Sequence, residues 1–299
     1  MKELAILLMA HRDVDLINRL ISHLQHPEID IYIHIDKKSQ FLVDSIVPFQ
    51  NTSILSENES YDVHWGQNQD NRAAIALINC SIGKYNHYAL ISGQHYLLKN
   101  AESIVDELKK APEADFISIM PRDSPIYNSF IGRSVLYWPE CLIGRNPLQK
   151  GISYTYRSVS KALGYPLRRN RGHHLTPRNN HHSSDSFMFG SQWWILSANT
   201  IDHIYNKIHN DPKILDYYDN SFCPDECIFQ TLVNECSESH VVNDNLTYID
   251  WSEGKASPKL LTKDDYSLLE RSNCLFARKF DSIASKELLD RIDQNLLQA

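Results

Sequence analysis

Continuous apolar runs alternate along the first half of the chain with segments in which apolar residues recur every three or four positions. The first apolar run is residues 4–9, a helical repeat extends from Val14 to Leu24, and the next apolar run is residues 31–35. Continuous apolar runs are typical of strands buried on both faces, whereas three- and four-residue spacing is typical of amphipathic helices. The order strand, helix, strand predicts a parallel sheet.

The same alternation continues to residue 119. Further strands and helices are predicted near residues 54–55, 74–82, 87–92, 104–108 and 115–119, and residues 93–96 read as a polar loop. Four or five strands alternating with helices predict an α/β fold with a mostly parallel sheet and a Rossmann-like, nucleotide-binding core. Ligands bind beyond the carboxyl ends of such strands, which here are Ala10 to Arg12 and Asp36 to Lys38, and these include the candidates Ala10, His11 and Asp36. No glycine-rich phosphate loop follows the first strand, so a P-loop or dinucleotide fingerprint is absent.

Residues 121–186 show no sustained period and read as an irregular basic and aromatic insertion within one domain of residues 1–299. Long irregular segments in compact domains are usually functional or mobile. Two His-His pairs lack a Cys or carboxylate at ligand spacing, which disfavours zinc. A basic loop over an anionic substrate or a membrane surface is the preferred interpretation. The basic residues concerned are Arg168, Arg169, Arg171, His173, His174, Arg178, His181 and His182.

Periodicity returns with a strand at residues 187–197 and a helix from Ile201 to Ile208. Residues 221–236 then read as a loop leading into a helix, with Pro224 in its first turn. This prediction puts Asp225 and Glu226 in that turn as well. Two interpretations stay open: the carboxylates complement the helix dipole, or Glu226 is a general base at the edge of a cleft.

The C-terminal part adds a strand at residues 246–251, an extended segment at residues 275–281 and a final amphipathic helix. In an extended segment side chains alternate between faces, so either Arg278 or Lys279 points inward. A cation that points inward needs an anionic partner.

Net charge, the length of the apolar runs and the cysteine content exclude some classes of function. The chain of 299 residues has a formal charge of −7, which disfavours a sequence-independent nucleic-acid binder. No apolar run reaches membrane length, and no export signal accompanies the six cysteines. We therefore expect reduced thiols and a cytoplasmic protein, at most peripheral at the inner face of the plasma membrane.

Seven motifs occur in an order that resembles the core-2/I-branching N-acetylglucosaminyltransferase and peptide O-xylosyltransferase family. They are HIDKKS (34–39), VHWG (63–66), LISGQHYLLK (90–99), GSQWWILS (190–197), PDE with Thr231 (224–231), YIDW (248–251) and LFARKFD (275–281). The resemblance implies a GT-A type α/β/α sandwich, a UDP-sugar donor and transfer with inversion at the anomeric carbon.

The resemblance also implies roles for individual residues. Glu226 becomes the catalytic base that deprotonates the acceptor hydroxyl. The donor-binding candidates are Ala10, His11, Asp36, Trp65, Gly66, Arg278 and Lys279, and the acceptor-binding candidates are Asp225, Trp251 and Trp193. Asp36 would contact uracil and Lys279 the diphosphate. At a strand-to-helix corner, however, a Trp such as Trp65 is more often a packing residue than a ligand platform.

A diphosphate leaving group develops negative charge that a metal or fixed cations must stabilise. The plain D-x-D early in the chain, Asp13 to Asp15, begins a helix, where Asp is a routine N-cap. We therefore expect no metal cofactor, with Lys279 and Arg278 in its place. His95 stands where the family usually has Asp, which puts contacts there in doubt. The second diphosphate cation stays undecided among Lys255, Lys259 and Arg271.

The donor sugar is GlcNAc by default, with xylose, galactofuranose and other UDP-linked sugars open. The hypothesised acceptor is a lipid-linked saccharide in the assembly of a bacterial surface polysaccharide. Two alternatives remain. One is a metal-dependent glycosyltransferase that uses the His pairs or Asp13 and Asp15, and the other is a non-catalytic carbohydrate- or nucleotide-binding protein on the same scaffold.

Overall fold

The computed structural model of the chain describes residues 1–135, 138, 148, 151, 154–155, 158–159 and 186–298. In this part of the chain a seven-stranded sheet has the order β3-β2-β1-β4-β7-β6-β8. Its strands are β1 (Lys2–Ala10), β2 (Ile29–Ile35), β3 (Thr52–Ile54), β4 (Tyr85–Ser92), β6 (Ala114–Ile119), β7 (Gly190–Ser197) and β8 (His240–Val242). Among the described strands of this large sheet, only β7 runs antiparallel to its neighbours.

A small second sheet places the C-terminal motif against the strand ends of the first. It consists of β5 (His95–Leu97), β9 (Thr247–Ile249) and β10 (Phe276–Arg278), in the order β5-β10-β9. The pairing of β10 with β5 is antiparallel and sets Arg278 opposite His95. Consequently, two residues from distant parts of the chain become cross-strand neighbours.

Helices cover both faces of the large sheet. They are α1 (Val14–His23), α2 (Gln69–Ser81), α3 (Ala101–Lys109), α4 (Tyr127–Val135), α5 (Ala198–Asn210), α6 (Lys213–Tyr218), α7 (Ile228–Glu235), α8 (Tyr266–Glu270) and α9 (Lys286–Asn295). Alternate residues of β1 enter two separate cores, Ile6 and Leu8 on one face and Ala5 and Leu7 on the other. The sheet is therefore buried on both sides, and the predicted α/β/α sandwich with a mostly parallel sheet is confirmed.

Polar side chains fix several of these elements. Asp13 caps α1 by accepting a hydrogen bond from the Leu16 N–H at 3.3 Å, as its position in the sequence predicts. The buried carboxylate of Asp115 accepts bonds from the Ser197 N–H at 2.9 Å and the Thr200 hydroxyl at 2.7 Å. A Cβ on Gly190 would lie 1.7 Å from the Ser118 carbonyl oxygen, so only glycine fits where β6 and β7 approach.

The structure corrects several local predictions. Residues 95–97, read as part of a polar loop, form the buried strand β5. Residues 127–135, read as irregular, form α4. Asp225 and Glu226 lie in a separate 3-10 turn, Pro224–Glu226, that precedes α7. The extra turn arises because Cys223 adopts a left-handed conformation (φ 50°) and Cys227 a non-helical one, which interrupts the helix. The basic cluster of residues 168–182 lies outside the described residues.

Candidate active site

Backbone contacts join the ends of β1 and β2 into one edge. The Asp36 N–H donates to the Ala10 carbonyl oxygen at 2.8 Å, and the Ser39 hydroxyl donates to the His11 carbonyl oxygen at 2.7 Å. The Asp36 carboxylate in turn accepts the Lys38 N–H at 2.9 Å and is 5% exposed as a residue. Three predicted donor-binding residues therefore meet at the carboxyl end of the sheet.

Cations gather beside this edge. The pKa of Lys279 is lowered by burial and by the nearby charges of Arg12 and Arg278. The pKa of His11 is lowered by burial and by Arg12, and Lys279 contributes to that shift. Lys279 Nζ donates to Ser257 Oγ at 3.2 Å. Mutual repulsion among these groups marks a site that favours an anion.

Arg278 packs against an aromatic ring, and it forms no ion pair with an acid in the part of the chain that the structure describes. Its guanidinium carbon lies 4.8 Å from the centre of the Trp193 ring, and its Nε is buried without a hydrogen-bond partner among the described residues. Burial lowers the pKa of Arg278 to about 10. The predicted inward cation is thus present, and its anionic partner has to come from outside the described chain.

His95 completes this cluster. Its Nδ1 accepts the Ser92 N–H at 3.0 Å, which leaves the proton of the neutral ring on Nε2. Burial, with a smaller contribution from Arg278, lowers the pKa of His95 well below its usual value. The His95 ring lies 4.7 Å from Trp193 in an edge-to-face arrangement. A neutral ring beside Arg278 leaves the arginine charge uncompensated.

A tight loop holds the carboxylates of the PDE motif. The Cys223 N–H donates to the Gly66 carbonyl oxygen at 3.0 Å, and Gly66 has φ 84°, a conformation that glycine adopts readily. The Phe222 ring contacts the Trp65 ring at 5.3 Å. Trp65 is 52% exposed, so it is not the buried packing residue that its corner position favours. The VHWG and PDE motifs therefore form one surface.

Glu226 is oriented by an arginine from α4. Arg133 Nη1 donates to Glu226 Oε2 in a short ion pair, and the Glu226 side chain is 38% exposed. The Arg133 guanidinium also stacks on the Phe130 ring at 3.7 Å, which fixes its position. A partly exposed, oriented carboxylate on a loop is suited to accept a proton from a bound hydroxyl group.

Further carboxyl groups lie between Glu226 and the strand ends. Burial raises the pKa of Asp225 well above its usual value, and the charges of Asp70 and Glu226 add to the shift. Burial, followed by the charge of Asp36, raises the pKa of Asp70 to about 7. Electrostatic neighbours therefore connect the donor edge with the PDE loop.

The predicted acceptor-binding tryptophans differ in their exposure to solvent, and two of the candidate cations are already paired. Trp193 is 5% exposed and lies against Arg278, beneath the surface, so its acceptor role stays a prediction. Trp251 follows β9 and is 54% exposed, as an acceptor platform requires. Of the alternatives for a second cation, Lys255 is paired with Glu253 and Lys259 with Asp265.

Two residues at the site, Asp70 and Arg133, were not singled out from the sequence. Arg12 lies at the strand end that the sheet rule selects. Asp70 and Arg133 carry no local signal, because each reaches the site through tertiary contact.

The described residues contain no group of three or more His, Cys, Asp or Glu side chains arranged to hold a metal ion. Within the same part of the chain no helix has the length and apolar character needed to cross a bilayer. The two His-His pairs proposed as alternative ligands lie outside the described residues.

The sequence model of the family "Branch: Core-2/I-Branching enzyme" matches residues 158–271, a range that includes the PDE loop. The match covers less than half of the chain. This match and the relatives below confirm the resemblance inferred from the motifs. Four of the candidate residues lie within the matched range: Trp193, Asp225, Glu226 and Trp251.

Proteins similar to this chain are named for the transfer of different sugars. Beta-glucuronosyltransferase GlcAT14B from Arabidopsis thaliana is 37% identical over 36% of this chain and 25% of its own length. Xylosyltransferase 2 from Rattus norvegicus is 20% identical over 98% of this chain and 33% of its own length. The matches thus span between a quarter and a third of these relatives. The solved structure of mouse xyloside xylosyltransferase 1, apo form, aligns over 92% of this chain and 96% of that chain, with 10% identity and a TM-score of 0.37.

Proposed function

We propose that the chain is an inverting glycosyltransferase that moves a sugar from a UDP-sugar to a hydroxyl group of a saccharide acceptor. The observation that carries this proposal is that one chain holds both an oriented carboxylate, Glu226, and a group of cations next to the ends of β1 and β10, with charged neighbours between them. A binding protein needs neither a base nor a concentration of positive charge aimed at a leaving group. Their combination fits group transfer from a diphosphate.

In the proposed reaction the acceptor O–H gives its proton to the Glu226 carboxylate, and the acceptor oxygen forms a bond to the anomeric carbon. The bond between that carbon and the phosphate oxygen breaks, and its electron pair leaves with UDP. Attack from the face opposite the leaving group inverts the anomeric configuration. Arg133 keeps Glu226 in one orientation while the proton moves.

We propose that Arg12, Arg278 and Lys279 stabilise the diphosphate without a metal ion. Burial lowers the pKa of Lys279, repulsion from Arg12 and Arg278 lowers it further, and that repulsion is relieved when the negatively charged leaving group binds. Arg12 replaces Lys255 and Lys259 as the preferred additional cation, because those two lysines are already paired with acids. Asp36 is proposed to contact the uracil ring, and Trp251 the acceptor.

The donor sugar proposed by default is GlcNAc, and a lipid-linked saccharide of a bacterial surface polysaccharide is the proposed acceptor. Both rest on the family resemblance. The glucuronosyl and xylosyl relatives make UDP-glucuronic acid and UDP-xylose the first alternatives to include as donors.

A donor screen tests the proposal. UDP release is measured for a panel of UDP-sugars with a mixture of saccharide acceptors, and the anomeric configuration of the product is read by NMR. We expect one preferred UDP-sugar, a product with inverted configuration, and a loss of about 100-fold in kcat for Lys279→Met. The matched control Lys286→Met removes an exposed lysine that pairs with Asp290 and should leave kcat unchanged. Retention of configuration, or full activity of Lys279→Met, contradicts the proposal.

A further inference from the structure

Residues 250–260 form a loop that leaves the small sheet beside one candidate cation and returns beside the next. Strand β9 ends at Ile249, which pairs with Arg278 of β10. After the loop, the Leu261 N–H donates to the Lys279 carbonyl oxygen at 2.9 Å. Both ends of this segment, the 250–260 loop, are therefore attached to the part of the chain that carries the positive charge proposed for the donor.

Contacts at the base of the 250–260 loop hold its two ends together. The Lys259 N–H donates to the Asp250 carbonyl oxygen at 2.8 Å, and Lys259 Nζ lies 2.5 Å from Oδ1 of the buried Asp265. Farther out, the Gly254 N–H donates to the Trp251 carbonyl oxygen at 3.0 Å, and Gly254 has φ 60°. The loop thus has a fixed base and a turn near its tip.

Ser257 of this loop contacts the proposed donor cation. The exposed Ser257 Oγ accepts a hydrogen bond from Lys279 Nζ at 3.2 Å. A hydroxyl group also has one O–H donor of its own. Among the residues that the structure describes, none accepts the Ser257 O–H. This proton is therefore available to a ligand that binds beside Lys279.

Lys279 keeps unused hydrogen-bond donors as well. An ammonium group has three N–H donors, and Ser257 takes one of them. Lys279 forms no ion pair with an acid in the described part of the chain, and Glu253 of the loop is already paired with Lys255 at 2.8 Å. An ammonium and a hydroxyl group side by side suit the oxygens of a phosphate group, since a negatively charged acceptor strengthens both hydrogen bonds.

We propose that Ser257 donates a hydrogen bond to the donor diphosphate beside Lys279, and that this contact fixes the 250–260 loop when the donor binds. The inference rests on the proposed function and deepens it, because it names a diphosphate-binding residue that lies outside the seven motifs. The flexible stem of Lys279 allows its ammonium group to bind a phosphate oxygen while Ser257 stays next to it. The group recognised is the diphosphate, so a nucleoside without phosphate gains nothing from Ser257.

The same loop carries the exposed Trp251, the candidate platform for the acceptor. Trp251 lies between the base of the loop and the turn at Gly254, which its carbonyl oxygen helps to form. When the diphosphate holds Ser257, the loop loses conformational freedom and Trp251 is kept in one position. The entropy cost of ordering the acceptor platform is then met before the acceptor arrives.

The first test compares the affinities for UDP and for uridine. Isothermal titration calorimetry measures UDP, and NMR titration measures uridine. We expect Ser257→Ala to weaken UDP binding about tenfold and to leave uridine binding unchanged, because one hydrogen bond to a charged group is lost. Ser257→Thr keeps the hydroxyl group and should retain the affinity for UDP. Ser252→Ala is the matched control in the same loop and should also retain it, because Ser252 is bonded through its backbone N–H to Asp250 at 2.7 Å.

The outcomes distinguish this inference from the proposed function. A wild type that binds UDP no more tightly than uridine has no diphosphate site, which overturns both. A wild type that prefers UDP, together with a Ser257→Ala variant that prefers it equally, overturns the role of Ser257 alone.

The second test follows the loop itself by hydrogen exchange and mass spectrometry. At saturating UDP we expect the amides of residues 251–258 to exchange more slowly in the wild type, and saturating uridine should leave their exchange unchanged. Ser257→Ala, also saturated with UDP, should lose most of this slowing, because the contact that fixes the loop is missing. The amides of α9 serve as the internal reference and should exchange equally with and without UDP. Unchanged exchange of the loop in the wild type saturated with UDP overturns the proposal.

Discussion

Replacing His95 by aspartate should convert the free charge of Arg278 into an internal ion pair. His95 and Arg278 are directly opposite each other on β5 and β10, and cross-strand Cβ atoms lie about 4.5–5.5 Å apart. At a separation of about 4 Å and an effective dielectric constant of about 20, the introduced carboxylate attracts the guanidinium by ~4 kcal/mol. Desolvation of the carboxylate offsets part of that attraction.

We take ~1.5–3 kcal/mol as the net value, the range for a hydrogen bond to a charged group. Binding of UDP must compete with this pair, so affinity for UDP should fall by about 10- to 150-fold in His95→Asp. Isothermal titration calorimetry with UDP in EDTA measures the effect. His95→Asn is the control, because it has the size of aspartate without its charge, and thermal melting verifies that both variants are folded. Equal UDP affinity of the Asp and Asn variants would refute the assignment of Arg278 to the diphosphate.

Two further predictions concern ion pairs. Arg133→Met removes the partner of Glu226, so we expect kcat to fall about tenfold with little change in the KM for donor; steady-state kinetics measure both, and a change confined to KM would count against an orienting role. Arg19 binds Asp290 and Asp293, whose pKa values are lowered, so the stability they contribute is fully present above the unfolded pKa of about 3.9 and is lost as the pH falls through the folded values. Arg19→Met should therefore lower the free energy of unfolding by ~1 kcal/mol at pH 7 and by less at pH 3 in urea titrations, and an equal loss at both pH values would exclude this linkage.

The large sheet could be predicted from the sequence because its central strands are buried on both faces. The continuous apolar runs at residues 4–9 and 31–35 are too short for buried helices of ordinary length, and both form strands. Strand β5 could not be predicted in this way. Its first residue, His95, is polar, and it is buried where β10, from the far end of the chain, pairs with β5.

Some residues of the candidate site could be predicted from the sequence, and others could not. Glu226, Asp36 and Lys279 stand in motifs that can be read locally. Arg133 meets Glu226 across 93 positions, and Asp70 reaches Asp225 from the start of another helix. Neither contact leaves a periodic or spacing signal in the sequence, because it depends on how α2 and α4 pack around the PDE loop.

The break between the 3-10 turn Pro224–Glu226 and α7 could not be predicted from local sequence either. Pro224 predicts a helix start correctly, but the conformations of Cys223 and Cys227 separate the first turn from the helix proper. The result exposes Glu226 on a loop that Gly66 and Arg133 hold by their backbone carbonyls. A continuous helix would not provide these contacts.

The most direct test of the account is the rate of sugar transfer by the wild type and by Glu226→Gln, measured side by side in EDTA with the preferred UDP-sugar. Glutamine keeps the size of the side chain and a hydrogen-bonding oxygen for Arg133 but cannot take the acceptor proton. The account predicts full wild-type activity in EDTA and a loss of about 100-fold or more in kcat for the variant, with UDP affinity unchanged. Wild-type activity that appears only with added Mn²⁺ or Mg²⁺, or a variant as active as the wild type, would contradict it.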